Sequence, residues 1–525
     1  MANVVTPRVE ALVLNEYGVD EWDDITADLI RDPLRWRRGI FGFGPLDLLA
    51  GPGTFSFTLD NSTQNEAGVE GFWSPGHPNC RTGWRHGIWI RLRLTDGTNT
   101  RFVFKGRLRV CTPDPAVVGL RAVTCVARDW MDDFATLDAV ALDLQENVRP
   151  DELLQLLIDL AEEAPAHVDL DTGLDEYAFA FDDLGGSVAK ASQVAQDILQ
   201  SEGGYLYLRG DSDAGETLRF ENRHARAGVE PEYEFETADL SDEPGSLQAP
   251  SSLDHIFNDV ETLTVPRRVD AAATTVLVRL DSPVSVSAGR TETLFVYYRD
   301  PDNEAVFVGG KSMVAPVVTT DWTANSSMDG AGSDLAASFV VVATYFGSRV
   351  MLELTNNGSV EGYVRGPGGA DGLQCRGKGL YRYRPVSSRG ENETSIEAYG
   401  RQPLPTPILM PYQGDRNVGV GVAQFKAHVH GGVTNVPTKV RIGSELSDAL
   451  LEQAILRDVG DAIAITDATT GIDSAQAFIH ALDQELTLDG LLSTEYTLAP
   501  ADTSDVLILD DPIAGTLDDN VLAYG

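Results

Sequence analysis

Lysine is scarce in this 525-residue chain: only Lys105, Lys190, Lys311, Lys378, Lys426 and Lys439 occur among 40 basic residues, and the rest are arginine. Against 80 acidic residues this leaves a formal net charge of -40. Such an acidic surface repels phosphate, which excludes a nucleic-acid or anionic-membrane role resting on a broad basic face. The arginine bias points first to a GC-rich genome. A salt-rich host is the second reading, because a screening length of roughly 3 Å at 1 M salt removes self-repulsion.

Cysteine is also sparse. Cys80, Cys111, Cys125 and Cys375 form no C-x-x-C pair and no disulfide-scaffold density, so the fold is not expected to depend on them. No long apolar run exists. The best stretch, Phe339 to Phe346, falls far short of the 18–20 or so residues a membrane helix needs. Met1 to Trp22 has no basic segment leading into an apolar one, so neither a secretory signal nor a membrane span is expected. H-E-x-x-H, G-x-S-x-G, a phosphate-binding loop and a G-x-G-x-x-G after a strand are all missing. No catalytic residue, cofactor or metal is therefore assigned, and the chain is not expected to be an enzyme.

What is present is alternation. Arg8 to Leu14, Thr54 to Leu59, Ile88 to Leu94, Arg101 to Val110 and Leu120 to Arg128 read as strands separated by turn chemistry such as Asp60-Asn61-Ser62 and Asp96-Gly97. The first 135 or so residues thus predict an antiparallel barrel or sandwich. After Asn147, Pro150-Asp151 and the spacing of Leu153, Leu154, Leu157 and Leu160 predict a helix. A second follows from Ser187 to Ser201 and stops at Gly203-Gly204. A hairpin of Tyr205 to Arg209 and Thr217 to Arg223 comes next.

Glu230 to Ser252 reads as a polar linker and Val260 to Val265 as a strand. β-branched runs at Thr274 to Leu280, Thr293 to Tyr298, Phe339 to Tyr345 and Val350 to Asn356 predict an inserted β-sandwich. Strands are expected at Gly379 to Arg384 and Ser395 to Tyr399, and a helix at Asn417 to His428. Strands close the chain at Val436 to Ile442, Ala462 to Thr466, Phe478 to Leu488 and Glu495 to Leu498.

Several stretches resemble one family. Trp22-Asp23-Asp24-Ile25-Thr26, Gly53 to Ser62 and Phe72-Trp73-Ser74-Pro75-Gly76 resemble the opening domain of baseplate hub and tail-tip proteins of long-tailed, siphovirus-like phages. That fold is shared with contractile phage hubs and gene-transfer particles. Phe102 to Leu108, followed by Val123 to Asp129, is similar to their glycine-bearing strand and the later strand closing on Asp. Ala195 to Tyr207 with Leu218 to Arg223 resembles their middle helix and hairpin, and Arg457 to Ile463, Thr469 to Ile472 and Ile479 to Leu482 resemble their closing barrel.

The resemblance implies a fold that is mainly β with an α+β middle. Residues 1–140 and 436–525 would be two barrel-like hub domains. Residues 141–268 would be the helix-plus-hairpin domain, 269–370 the inserted sandwich and 371–435 a return to the middle domain. It implies a structural virion protein at the tail tip, a homotrimeric ring with part of the DNA exit channel. Its neighbours would be a distal tail protein or tail-tube ring, the tape-measure C-terminus and tip fibre or spike proteins, with DNA passing unbound. The alternative is a distal tail or host-glycan-binding adhesin.

Several residue groups admit chemistry and a plainer reading. Asp211, Asp213, Gly215 and Glu216 carry oxygen ligands for Ca²⁺, but a hairpin tip explains them as well. His77, Cys80 and His86 are zinc-ligand types without a fourth partner. His428 and His430 read as surface or interface residues. Asp132-Asp133, Asp182-Asp183 and Asp510-Asp511 are imaginable glycosidase pairs, but adjacent carboxylates point apart and read as solvated surface. Six of the seven tryptophans, Trp22, Trp36, Trp73, Trp84, Trp89 and Trp130, fall in the opening region, with Trp322 apart, and suit cores or interfaces. Arg31, Arg35, Arg37 and Arg38 form the clearest basic cluster and are read as pairing with a neighbouring subunit's acids or as a solvated loop.

Overall fold

Alternation in the opening region becomes seven strands: β1 (Thr6–Leu14), β2 (Asp20–Asp24), β3 (Leu34–Gly39), β4 (Gly51–Asp60), β5 (Trp89–Thr95), β6 (Thr100–Asp114) and β7 (Ala122–Arg128). On β4 the inward residues Phe55, Phe57 and Leu59 are fully buried while Thr54, Ser56 and Thr58, which alternate with them, are half-buried, as a two-residue period demands. The computed structural model describes residues 4–501 except 15–17, 31–32, 98, 116–120, 140–141, 183–188, 212, 243, 251 and 433–436. Beyond 501 it describes only the backbone of 506–507 and 521–522. Among the described residues the protein is mainly β, with 43% strand against 15% helix.

Among the described residues, the two barrel-like units expected at the ends of the chain are not closed barrels. Their strands join one open sheet of 13 strands. Strand β3 pairs with β4 on one side and with the strand Ile472–Leu486 on the other, in a register running from Leu34 opposite Leu486 to Gly39 opposite Ala481. From Ile472–Leu486 the sheet continues through Leu492–Pro500 and Lys439–Ile442; from β4 it continues through β7, β6, β5 and β1 to β2. Closure is discouraged at the β2 end, where Asp20-Glu21-Trp22-Asp23-Asp24 presents four carboxylates along an edge strand. Gly39 marks the crossing. Its φ is +110°, and a Cβ there would lie 2.3 Å from the His480 carbonyl.

Helices α1 (Trp130–Thr136), α2 (Pro150–Ile158) and α3 (Ala191–Glu202) and strands β8 (His167–Leu170), β9 (Tyr205–Arg209) and β10 (Thr217–Glu221) make the middle region. Pro150 opens α2 at its first turn, and Gly203, at φ +86°, ends α3 in the left-handed conformation. β9 and β10 form the expected hairpin, and β8 adds to it in parallel.

Two readings of local pattern change. The linker 230–252 contains β11 (Tyr233–Glu236) and β12 (Leu247–Gln248). β11 lies parallel to Ala462–Asp467 and β12 antiparallel to Lys439–Ile442. Their partners come from the other end of the sequence, so no local run announces them. Ser395 to Tyr399, expected as a strand, lies in the helix Glu393–Tyr399. Asn392 Oδ1 caps it by accepting from the Ser395 N–H, and Gly400 ends it. Five residues are too few to separate the two periods, and the flanking caps decide. The helix expected near Asn417 is Arg416–Val429.

One apolar core runs under the large sheet and the three helices. Trp36, Trp73, Trp84 and Trp130 are buried in it, and Trp73 meets Trp84 edge-to-face at 4.8 Å. The expected sandwich stretch supplies strands to several small sheets, which Arg267–Val269 and Gln374–Arg382 join from outside that stretch. They surround a separate core from Leu277 to Cys375 that includes Trp322 and Leu352. Among the described residues no helix is long and apolar enough to cross a membrane.

Candidate functional site

A buried polar junction surrounds Asp458. Trp36 and Arg38 alternate inward on β3, so a residue type normally solvated enters the core. The Arg38 guanidinium donates to both Asp458 oxygens, Nε to Oδ1 at 3.1 Å and Nη2 to Oδ2 at 2.6 Å, and its Nη1 donates to the Val103 carbonyl. From β6, Arg101 Nη2 donates to Asp458 Oδ2 at 2.9 Å and to the Gly210 carbonyl, while its Nη1 donates to the Leu456 carbonyl. The Gly210 N–H completes the cradle at 2.9 Å.

Asp461 forms the second half. Its Oδ1 accepts from Arg209 Nη2 at 2.5 Å and its Oδ2 from the Asp458 N–H at 2.9 Å. Burial pushes the Asp458 carboxyl up, but Arg38, Arg101 and Arg209 outweigh it and hold it below the usual range. For Asp461 burial prevails over Arg209, and the carboxyl is raised. Glycine is required at both bends. A Cβ on Gly210 would lie 2.6 Å from the Phe102 carbonyl and 2.8 Å from Arg38 Nη2, and one on Gly460, at φ +90°, 1.9 Å from the Tyr207 hydroxyl. This arrangement holds segments together. Asp458 is fully buried and its oxygens are consumed by fixed donors, so it offers nothing to a substrate.

A second buried cluster lies where the hairpin meets the closing strands. Arg226 pairs with Glu221 at 2.7 Å, lies 3.8 Å from the Tyr205 ring centroid and donates to His480 Nε2 at 2.7 Å. His480 Nδ1 is 2.9 Å from the Gly42 carbonyl. A carbonyl only accepts and a guanidinium only donates, so His480 is neutral with its proton on Nδ1. Burial first, then Arg226, keeps its pKa well below the ordinary value.

The residues singled out by sequence separate into unlike settings. Asp211 Oδ1 accepts from the N–H groups of Asp213, Ala214 and Gly215 at 2.6 to 2.9 Å. Glu216 pairs with Lys105 at 2.6 Å. Asp211 therefore organises a hairpin tip. His77 Nδ1 accepts from the Asn79 N–H, Cys80 Sγ faces the Arg81 and Trp84 carbonyls, and His86 is exposed. Among the described residues no group of three His, Cys, Asp or Glu side chains lies together to hold a metal ion.

Three surface readings are corrected. His430 is buried at the end of the helix Arg416–Val429, its carbonyl accepting from the Phe257 N–H, and burial pushes its pKa down to about 3; His428 is exposed. Asp182 is buried between Arg267, at 2.9 Å to each oxygen, and Arg382; Asp183, Asp510 and Asp511 lie outside the described residues. Asp132 is held by Arg109 and Arg128, and Asp133 by Arg107 and Arg109, so these two carboxylates are spent on ion pairs. Within the arginine cluster, Arg35, Arg37 and Arg38 lie on β3 and not in a loop. Arg35 pairs with Glu485 at 3.0 Å, Arg37 lies over the Phe41 ring and Arg38 is buried; Arg31 lies outside the described residues. Sequence reasoning named Arg38 and quoted Asp458 without joining them, because 420 positions separate them.

A surface cleft lies against the separate core. It measures about 440 Å³ and is lined by Arg279, Asp281, Phe295, Tyr297, Arg299 and Glu304 among others. Phe295 is 53% exposed there, with the Arg349 guanidinium 4.7 Å from its ring centroid.

No family model and no curated protein matches the sequence. Solved structures similar to this chain include phage tail proteins and a component of a type VI secretion system. The 43 kDa tail protein of prophage MuSo2 from Shewanella oneidensis is 9% identical, with TM-score 0.47, over 95% of this chain and 99% of that one. A tail protein from Neisseria meningitidis MC58 is 12% identical, with TM-score 0.41, over 95% and 97%. A component of the E. coli type VI secretion system, described as similar to phage T4 tail proteins, is 7% identical, with TM-score 0.25, over 63% and 73%.

Proposed function

We propose that this chain is a structural, non-enzymatic subunit of a virion tail, a baseplate hub or tail-tip protein that assembles as a homotrimeric ring. The observation that carries the reading is the junction at Asp458. The strand Phe102 to Leu108, the middle hairpin and Arg457 to Ile463 resemble hub proteins separately in sequence, and they meet around one carboxylate through Arg101, Gly210 and Arg38. A site built to hold rather than react suits a ring under mechanical load.

On this reading, residues 1–140 and 436–525 are the hub units, 141–268 and 371–435 the middle unit and 269–370 an outward insertion. The ring joins a distal tail protein or tail-tube ring to tip fibre or spike proteins, with the tape-measure C-terminus in its lumen. A net charge of -40 keeps passing DNA from adhering to the wall. Mass photometry and electron microscopy of the purified chain, alone and with its tail-tube partner, test this. Threefold rings are expected, and a monomer persisting at high concentration with that partner present would overturn it.

A second reading concerns the insertion alone. The cleft at Phe295 sets an exposed ring and Tyr297 beside two guanidinium groups and two carboxylates. Aromatic faces take the C–H side of a sugar and charged groups its hydroxyls, so a neutral host saccharide fits. Glycan-array binding by the full chain that falls at least tenfold in Phe295→Ala supports it, and silence on the array removes it.

A further inference from the structure

Cys111 on β6 and Cys125 on β7 are directly opposite in register, and Cys125 Sγ lies 3.9 Å from Cys111 Sγ. The ladder on the far side of β7 identifies the kind of pair they form. Asn61 N–H donates to the Arg121 carbonyl, and Asp129 N–H donates to the Gly53 carbonyl. The register between β4 and β7 runs without a slip between these points. The odd-numbered residues of β7, Cys125 included, therefore direct their backbone groups towards β4. Towards β6, Cys125 stands in a non-hydrogen-bonded pair, the type that brings opposite Cα atoms to about 4.5 Å and side chains closest. Pro113, two residues after Cys111, agrees with this parity, because it has no N–H to give to β7.

We infer that Cys111 and Cys125 are a dithiol that closes to a cross-strand disulfide when the protein meets an oxidising medium. The Cα separation expected of such a pair falls within the span a disulfide bridges, and rotation about χ1 brings the sulfurs together. Cys80 is a poor rival, since its sulfur faces the carbonyls of Arg81 and Trp84, and Cys375 lies in the other core. Cys111 is half-buried and Cys125 fully buried, so Cys111 meets the oxidant first. The hydrogen bond from Cys125 lowers the Cys111 pKa, which favours its thiolate.

With a small-molecule disulfide as oxidant, the Cys111 thiolate attacks one sulfur and the other leaves as a thiolate. Cys125 loses its proton and attacks Cys111 Sγ, expelling the second thiolate. The two protein protons go to the two released thiolates, the small disulfide is reduced to two thiols and the protein pair is oxidised. The bridge ties the distal arm of β6 to β7. This inference stands apart from the proposed assembly.

The test uses the full chain, purified with reductant, desalted and incubated with oxidised glutathione. It is then acid-quenched, denatured, alkylated and mapped by peptide mass. The expected result is a fall from four alkylatable thiols to two, with the Cys111 and Cys125 peptides joined and two hydrogens lost. Cys125→Ser is expected to trap glutathione on Cys111, and Cys80→Ser to leave the bridge unchanged. Four alkylated cysteines after prolonged incubation, a bridge through Cys80, or unresolved glutathione on wild-type Cys111 would each overturn it. The wild-type map decides even where a variant does not fold.

Discussion

Arg38 and Asp458 lie 420 positions apart in sequence and form a two-point ion pair at 3.1 and 2.6 Å, with side chains 5% and 0% exposed. The charges are desolvated, so their value lies in being matched. Neither partner tolerates the loss of the other.

Arg38→Ala therefore leaves Asp458 short of its principal donor, and is expected to cost about 3–5 kcal/mol. Arg35→Ala, three positions away on the same strand, removes a pair whose arginine is 58% exposed and is expected to cost less than about 1 kcal/mol. Denaturant unfolding followed by tryptophan fluorescence compares them. Equal losses would remove the distinction drawn between the two arginines.

Gly210 tests the same junction through its backbone. Gly210→Ala sets a methyl against the Phe102 carbonyl and the Arg38 guanidinium, and an overpacking loss of about 1–3 kcal/mol is expected. Gly432→Ala meets nothing within 4 Å and is expected to stay within about 0.5 kcal/mol. Thermal melts of the two variants give the comparison.

His480 predicts a pH effect with a definite sign. Its folded pKa is depressed, so the native state binds fewer protons than the unfolded chain. The stability it contributes is present above an unfolded pKa of about 6.5 and is lost as pH falls below it, with a slope of up to about 1.4 kcal/mol per pH unit. His430, pushed to about 3, acts in the same direction. Asp129 and Glu202, raised to about 7 by burial, act oppositely. The measurement is therefore the difference between wild type and His480→Asn across pH 5 to 8. That difference should shrink towards acid, and a constant offset would refute a neutral His480.

Asp129 carries a second titration test. Its Oδ1 accepts from the Met131 N–H and caps α1, while burial raises its pKa to about 7. Asp129→Asn keeps an acceptor and removes the buried charge, so it is expected to be neutral or stabilising at pH 8. Asp129→Ala should cost about 1 kcal/mol through the lost cap. Melting temperatures at pH 6 and 8 separate the two substitutions.

Much of the local structure is legible in the sequence because its causes are local. Alternation in Phe55-Ser56-Phe57-Thr58-Leu59, Pro150 opening α2 and Gly203 closing α3 act within a few residues. The Asx turn at Asp211 is of the same kind. The helix Glu393–Tyr399 was missed because its short run fits two periods and its caps stand outside it.

By itself the sequence determined the strand-rich character, the two middle helices, the burial of most of its tryptophans and the absence of familiar catalytic motifs. Only the tertiary structure decided that β3 pairs with Ile472–Leu486, that the two end regions share one open sheet, and that Arg38 is spent on Asp458. The reason is physical. Periodicity tells a strand which face to bury, but its neighbour is chosen by complementary shape and charge hundreds of residues away, where no local pattern reaches.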